Sequence, residues 1–122
     1  MKLNPLLFLP YAAVCAKPSR NPNRNFYIGA VGLRNDGTLV TASNGSVQGD
    51  SRIWSCHAEI RLIRKLDTGA TVFVARVNKR GDWRIAKPCA NCMKALKGRR
   101  VVRVYYTMAP GKYGMLNLLN DF

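Results

Sequence analysis

The chain has 122 residues, enough for one domain around a single hydrophobic core. Its apolar fraction is 48%, yet no apolar run approaches the ~18 residues of a transmembrane helix, which argues against a membrane-spanning protein. Twenty Lys and Arg against six Asp and Glu give a net charge of +14, an excess that points to a polyanionic partner.

That charge is uneven. Residues 51–100 carry net +10, against +3 for residues 1–50 and +1 for the remaining tail. The N-terminus is similar to a secretory leader, with Met1-Lys2 ahead of an apolar stretch from Leu3 to Ala16. Pro5 and Pro10 interrupt that stretch, and an ~100-residue remainder would lose part of its core without it. The segment therefore reads as a first helix over 5–15, with Asn4 as N-cap, Pro5 at N1 and an irregularity at Pro10. Residues 17–25 form a polar loop containing Arg20 and Arg24.

Residues 26–33 predict a strand, Asn35-Asp36-Gly37 a hairpin turn, and residues 38–42 the returning strand. Asn44-Gly45-Ser46 ends it, and a polar loop with Arg52 runs to Trp54. A helix over 57–66 buries Ile60, Leu62, Ile63 and Leu66, and Asp67-Thr68-Gly69 stops it. Residues 71–77 read as a central strand. Residues 78–82 are a basic turn, with residues 83–85 extending a hairpin that carries Arg80 and Arg84 at its ends. Pro88 opens a helix that ends near Gly98. Residues 101–106 form another strand and 109–112 a turn, while 113–119 fit either a closing strand or a helix. The order predicts one domain over 1–122 with an α/β fold: a three-layer α/β/α sandwich around a single mixed sheet of four or five strands.

Two short motifs stand out. Cys56-His57-Ala58-Glu59 sets an imidazole and a carboxylate two residues apart. Pro88-Cys89-Ala90-Asn91-Cys92 sets two sulfurs at i and i+3, on one face of a helix's first turn. The chain holds one His and one Glu in total, and both fall in the first motif. His57, Cys89 and Cys92 make a three-ligand zinc set with the fourth position left for water. Glu59 then stands beside that water as proton shuttle. H-x-E followed by P-C-x-x-C is the signature of zinc deaminases acting on nucleobases. A bland reading, with a core histidine and unrelated cysteines, does not account for the proline, the spacing and the order together. Cys15 and Cys56 remain as small packed thiols, which fits a reducing, intracellular (cytoplasmic) setting.

With these motifs the chain resembles the cytidine deaminase superfamily. Its run His57-Ala58-Glu59-Ile60-Arg61-Leu62-Ile63 is similar to the AID/APOBEC group of polynucleotide cytosine deaminases. The resemblance implies zinc as cofactor and conversion of cytosine to uracil in single-stranded DNA or RNA. It places Asn44 on the target sugar and the Ala58 N–H on the base carbonyl. Arg103-Val104-Tyr105-Tyr106 resembles the end of that group's fourth strand, so Tyr105 would pack on the flipped base and Tyr106 touch the preceding nucleotide. Trp54 stands at the expected pocket rim, suited to base stacking or to core packing. Arg20, Arg24, Arg52, Arg80 and Arg84 on loops are the expected phosphate contacts. The chain departs from the group at Ala86, where a tryptophan is usual, and in having only sixteen residues after Tyr106. Other expectations stay open: a free cytidine or deoxycytidylate deaminase of pyrimidine salvage, a tRNA adenosine deaminase, or a structural zinc module. The expected assembly is a monomer or a dimer, with no membrane partner.

Overall fold

The structure, a computed structural model, describes residues 4–16, 26–43, 62–78, 80–88 and 90–118. In chain order the described elements are α1 (Pro5–Ala16), β1 (Phe26–Leu33), β2 (Leu39–Ser43), β3 (Thr71–Asn78), β4 (Trp83–Arg84), α2 (Ala90–Gly98), β5 (Arg103–Ala109) and β6 (Lys112–Asn117).

The strands make one mixed sheet in the order β2-β1-β3-β5-β6, with β4 pairing the end of β3. Only β3 and β5 run parallel, from Thr71↔Arg103 to Val74↔Tyr106, and α2 lies in the crossover between them. The architecture is the predicted α/β sandwich, with β4 as a short sixth strand.

Capping residues set the ends of α1. The Asn4 side-chain oxygen accepts the Leu6 N–H at 3.0 Å, and Pro5 fills the first helical position, where no N–H is needed. The helix continues through Pro10, which lies on its exposed side. The segment that resembles a leader is thus a packed element, with Leu9, Ala12 and Ala16 fully buried. No helix among the described residues is long and apolar enough to cross a membrane.

The β1–β2 turn closes through Arg34 and Thr38, whose backbone groups bond at 2.9 Å, with Gly37 at φ 90°. The Asp36 carboxylate accepts the Thr38 N–H at 2.9 Å and also its hydroxyl. This explains why Asp-Gly suits the turn: the acid replaces lost backbone bonds and the glycine takes the left-handed φ.

β3 is buried along nearly its whole length, as a parallel-paired central strand must be. Strand alternation divides its side chains. Val72 and Val74 join Ala30, Leu62, Leu66, Leu96, Val101 and Val104 in one core. Phe73 and Ala75 join Leu9, Ala12 and Val31 in a second core on the other face, under α1. At Gly29 the α1 backbone rests directly on the sheet. A Cβ there would stand 2.6 Å from the Ala16 nitrogen and 3.0 Å from the Cys15 carbonyl carbon. Glycine is the residue this close approach permits.

Helix α2 ends in a Schellman motif. The Val101 N–H reaches the Leu96 carbonyl at 3.1 Å and the Arg100 N–H reaches Lys97 at 2.9 Å. Val101 and Leu96 are both buried in the same core, the apolar contact that usually accompanies this motif. The left-handed position belongs to Arg100, at φ 63°, rather than to a glycine. A residue with a Cβ there costs about 1 kcal/mol relative to Gly. Residues 62–63 are helical, and the Arg99 guanidinium ties the turn after them to α2. Its Nε and Nη2 donate to the Leu66 carbonyl at 3.0 and 2.6 Å.

Strand β5 begins at Arg103, two residues later than predicted, because Val101 is consumed by the helix cap. It also runs to Ala109, past the predicted end. The tail left open by the sequence is strand β6, joined to β5 through Pro110-Gly111 with Gly111 at φ 75°. Tyr106 lies over Gly114, where a Cβ would stand 2.6 Å from its hydroxyl.

Candidate metal centre

Of the four residues in the expected catalytic set, Cys92 lies within the described residues. It sits in the first turn of α2 and is 0% exposed. Leu96, one turn later, is buried, and Met93 packs against the same core, so this side of α2 faces the sheet. The free N–H groups and positive end of a helix's first turn favour a thiolate over a thiol. His57, Glu59 and Cys89 lie outside the described residues, as do Asn44, Ala58, Trp54, Arg20, Arg24 and Arg52. Among the described residues, accordingly, no three His, Cys, Asp or Glu side chains converge.

The packing brings the chain that follows each motif to one face of the sheet. Leu62, five positions after His57, and Leu96, four after Cys92, are buried in the same core against Val72, Val74 and Val104. The donor set fits zinc: a fully enclosed sulfur at a helix start, a second sulfur three residues before it, and the chain's one imidazole. His57, Cys89 and Cys92 are the residues that would hold the ion.

The two tyrosines part company. Tyr106 packs against the core on the Cys92 side of the sheet. Tyr105 does not. Alternation turns it to the α1 face, where its ring stacks on Phe73 at 5.3 Å and meets Tyr113 edge-on at 6.0 Å. The sheet thus lies between Tyr105 and α2.

At the other end of β3, the hairpin turn is built on Asn78. Its side-chain oxygen accepts the Arg80 and Asp82 N–H groups, each at 2.9 Å. Arg80 and Arg84 are exposed. Arg84 pairs with Arg76 across β3–β4, in the alternation that faces α2, while Trp83 pairs with Val77 and packs toward α1. Thr107 was not anticipated from the sequence, where a strand threonine carries no special signal. It is fully buried and joins three strands. Its hydroxyl donates to the Arg84 carbonyl at 2.7 Å and accepts the Arg76 N–H at 3.1 Å. It thereby fixes β4, the element from which the chain proceeds to Pro88 and the second motif.

Cys15 belongs elsewhere. It is half-buried on α1, and burial raises its thiol pKa, partly opposed by a hydrogen bond with Thr41. It packs as a neutral thiol.

Solved structures share this architecture. A cytidine deaminase from Burkholderia pseudomallei superposes with a TM-score of 0.71 at 17% identity, over 95% of this chain and 94% of its own. A cytidine deaminase from Mycobacterium leprae does so with a TM-score of 0.65 at 22% identity, over 99% and 98%. At these identities the likeness is one of fold, and it places the sandwich in the cytidine-deaminase-like class. The sequence goes further. The cytidine and deoxycytidylate deaminase zinc-binding region matches residues 6–108, which include both motifs. The chain belongs to that family. A cytidine deaminase from Shewanella amazonensis is 29% identical over 103 residues, 82% of this chain; the match spans 32% of that relative's length.

Proposed function

We propose that the chain is a zinc-dependent hydrolytic deaminase acting on a free cytosine nucleoside or nucleotide, cytidine or deoxycytidylate. The observation that carries this is the family match across both motifs, with Cys92 enclosed at the start of α2. When bound, zinc supplies a Lewis acid that makes water a nucleophile near neutral pH. The chain's residues do the rest. His57, Cys89 and Cys92 hold the ion. Glu59 takes a proton from the attacking water and passes protons to the ring nitrogen and the departing amine. Water is consumed, the C–N bond to the amine breaks, and the corresponding uracil nucleoside or nucleotide and ammonia leave. Asn44 and the Ala58 N–H orient sugar and base carbonyl, as the sequence resemblance implies.

A second reading, cytosine within a single strand, is favoured by the net charge of +14, since a free nucleotide needs only one or two cations. The matched family and relatives lend no support to the AID/APOBEC branch in particular. Tyr105, which the resemblance to that branch invoked, stacks on Phe73 on the α1 face.

Ammonia release from cytidine, deoxycytidylate and a cytosine-containing oligonucleotide separates the readings. Turnover of either monomer above that of the oligonucleotide is the expected result; turnover of the oligonucleotide alone would replace the first reading by the second. Glu59→Gln should keep zinc and lose 10²–10⁴-fold in rate, roughly the worth of general acid–base catalysis. A variant keeping more than about a tenth of the rate would remove Glu59 from this role.

A further inference from the structure

Among the described residues, a dense basic surface runs from Lys94 to the C-terminal end of α2 and the turn after it. Between Asp82 and Asp121 the chain contains no acidic residue and eight Lys or Arg. Five of these, Lys94, Lys97, Arg99, Arg100 and Arg103, belong to α2, the turn after it and the start of β5, and all five are exposed. The neighbouring turn adds exposed Arg64. The two stretches are bound side by side. Arg99 donates twice to the Leu66 carbonyl, the Gly69 N–H reaches Arg100 at 3.0 Å, and the Val102 N–H reaches Ala70 at 2.9 Å. The acid in this turn, Asp67, is turned to Arg34 and to the Asn35 N–H. From Cys92 to Gly98 the helix rises about 9 Å, which sets this end of α2 off from Cys92.

Cations at a helix C-terminus also offset the helix dipole, and that alone would account for Lys97. It does not account for Arg100. That residue holds the left-handed cap position at φ 63°, where glycine is the stable choice, while Gly98 lies inside the helix, where nothing approaches within 4 Å of an added Cβ. Stability would favour the opposite arrangement. Local backbone strain of this kind is often retained at functional positions.

We propose that Arg64, Lys94 and Arg100 form a docking surface for the phosphodiester backbone of a nucleic acid strand, separate from the site of deamination. The surface carries cations spaced along two adjoining turns and an exposed helix side, which suits a chain of phosphates. It holds whether the metal centre takes a free nucleotide or a strand.

Oligothymidylate tests it, because it has no cytosine for the metal centre. Fluorescence anisotropy of a labelled oligothymidylate is followed across a salt series for the wild type, Arg100→Gly, and the triple variant Arg64→Ala/Lys94→Ala/Arg100→Gly. Each lost phosphate contact should lower the slope of log K against log salt by about 0.7, so the triple variant should lose about 2. Its affinity at about 0.1 M salt should fall at least tenfold. Arg100→Gly should bind more weakly while melting at the same temperature or higher. Cytidine turnover by the triple variant should stay at the wild-type level and reads the metal centre separately. A slope within about 0.5 of wild type would overturn the proposal. So would an Arg100→Gly protein that melts lower, or polyglutamate competing as well as oligothymidylate.

Discussion

The contact of α1 with Gly29 makes the strongest quantitative demand on the fold. In Gly29→Ala the new methyl would stand 2.6 Å from the Ala16 nitrogen and 3.0 Å from the Cys15 carbonyl carbon. Ordinary carbon contacts begin near ~3.5 Å, so the shortfall is about 1 Å. Both obstacles are helix backbone and cannot rotate aside, so α1 must withdraw as a body. A gap of ~0.5–1 Å forfeits a quarter to a half of each dispersion contact it opens. The contacts at stake are those of Leu9, Ala12 and Ala16, all fully buried, and the Phe8–Phe73 stack at 4.7 Å. The sum is about 3 kcal/mol, the upper end of overpacking penalties. For a domain of this size that is a fall in Tm of roughly 12 °C. Gly37→Ala is the contrast: φ there is positive, at 90°, as it is not at Gly29, and nothing lies within 4 Å of the added Cβ. It should cost only about 1 kcal/mol, or roughly 4 °C. Thermal unfolding followed by circular dichroism measures both. Equal losses in the two variants would refute the close approach of α1 to β1.

Other consequences are narrower. Thr107→Val keeps the side-chain shape but strips the Arg84 carbonyl and the Arg76 N–H of their buried partner. Urea unfolding should show a loss of about 2–3 kcal/mol, and less than about 0.5 would count against the three-strand tie. The Asp36 carboxyl is held below its ordinary value, first by the Thr38 hydroxyl and then by the Thr38 N–H. Its folded pKa is thus the lower one. The turn's support is complete above about pH 4 and is lost as pH falls through the depressed value. A carbon-13 NMR titration should place the Asp36 midpoint below 3.8, and a midpoint at or above it would dismiss the bond. Cys92→Ser replaces a soft ligand by a hydroxyl that stays protonated, so the purified variant should lose most of its zinc. A full equivalent in that variant, by elemental analysis, would remove Cys92 from the ligand set.

Local chemistry was the legible part of the fold. Asn4-Pro5 marked the start of α1, Asp36-Gly37 marked a hairpin, and the apolar run of β3 marked the middle of the sheet. What failed depended on neighbours. Val101 reads as a strand residue, and its apolar character was instead used to seal the cap of α2. The tail became a strand because β5 offered it a free edge, something no local pattern encodes. Tyr105 and Tyr106 look equivalent in sequence. Alternation assigns them opposite faces, but only the packing of α1 and α2 says which face adjoins Cys92. At the site, motif spacing selected residues by identity, whereas Thr107 escaped because its role depends on two strands distant in sequence.

The parallel pairing of β3 with β5 joins two portions of chain. Before the exposed turn at Arg80-Gly81 lie α1 and the strands β1 to β3; after it lie β4, α2, β5 and β6. The proposed zinc donors divide across that same boundary, His57 on one side, Cys89 and Cys92 on the other. An ion held by all three would rivet the portions together as well as serve chemistry. A chain cut at this turn would therefore be the natural substrate for fragment complementation, with metal uptake reporting reunion.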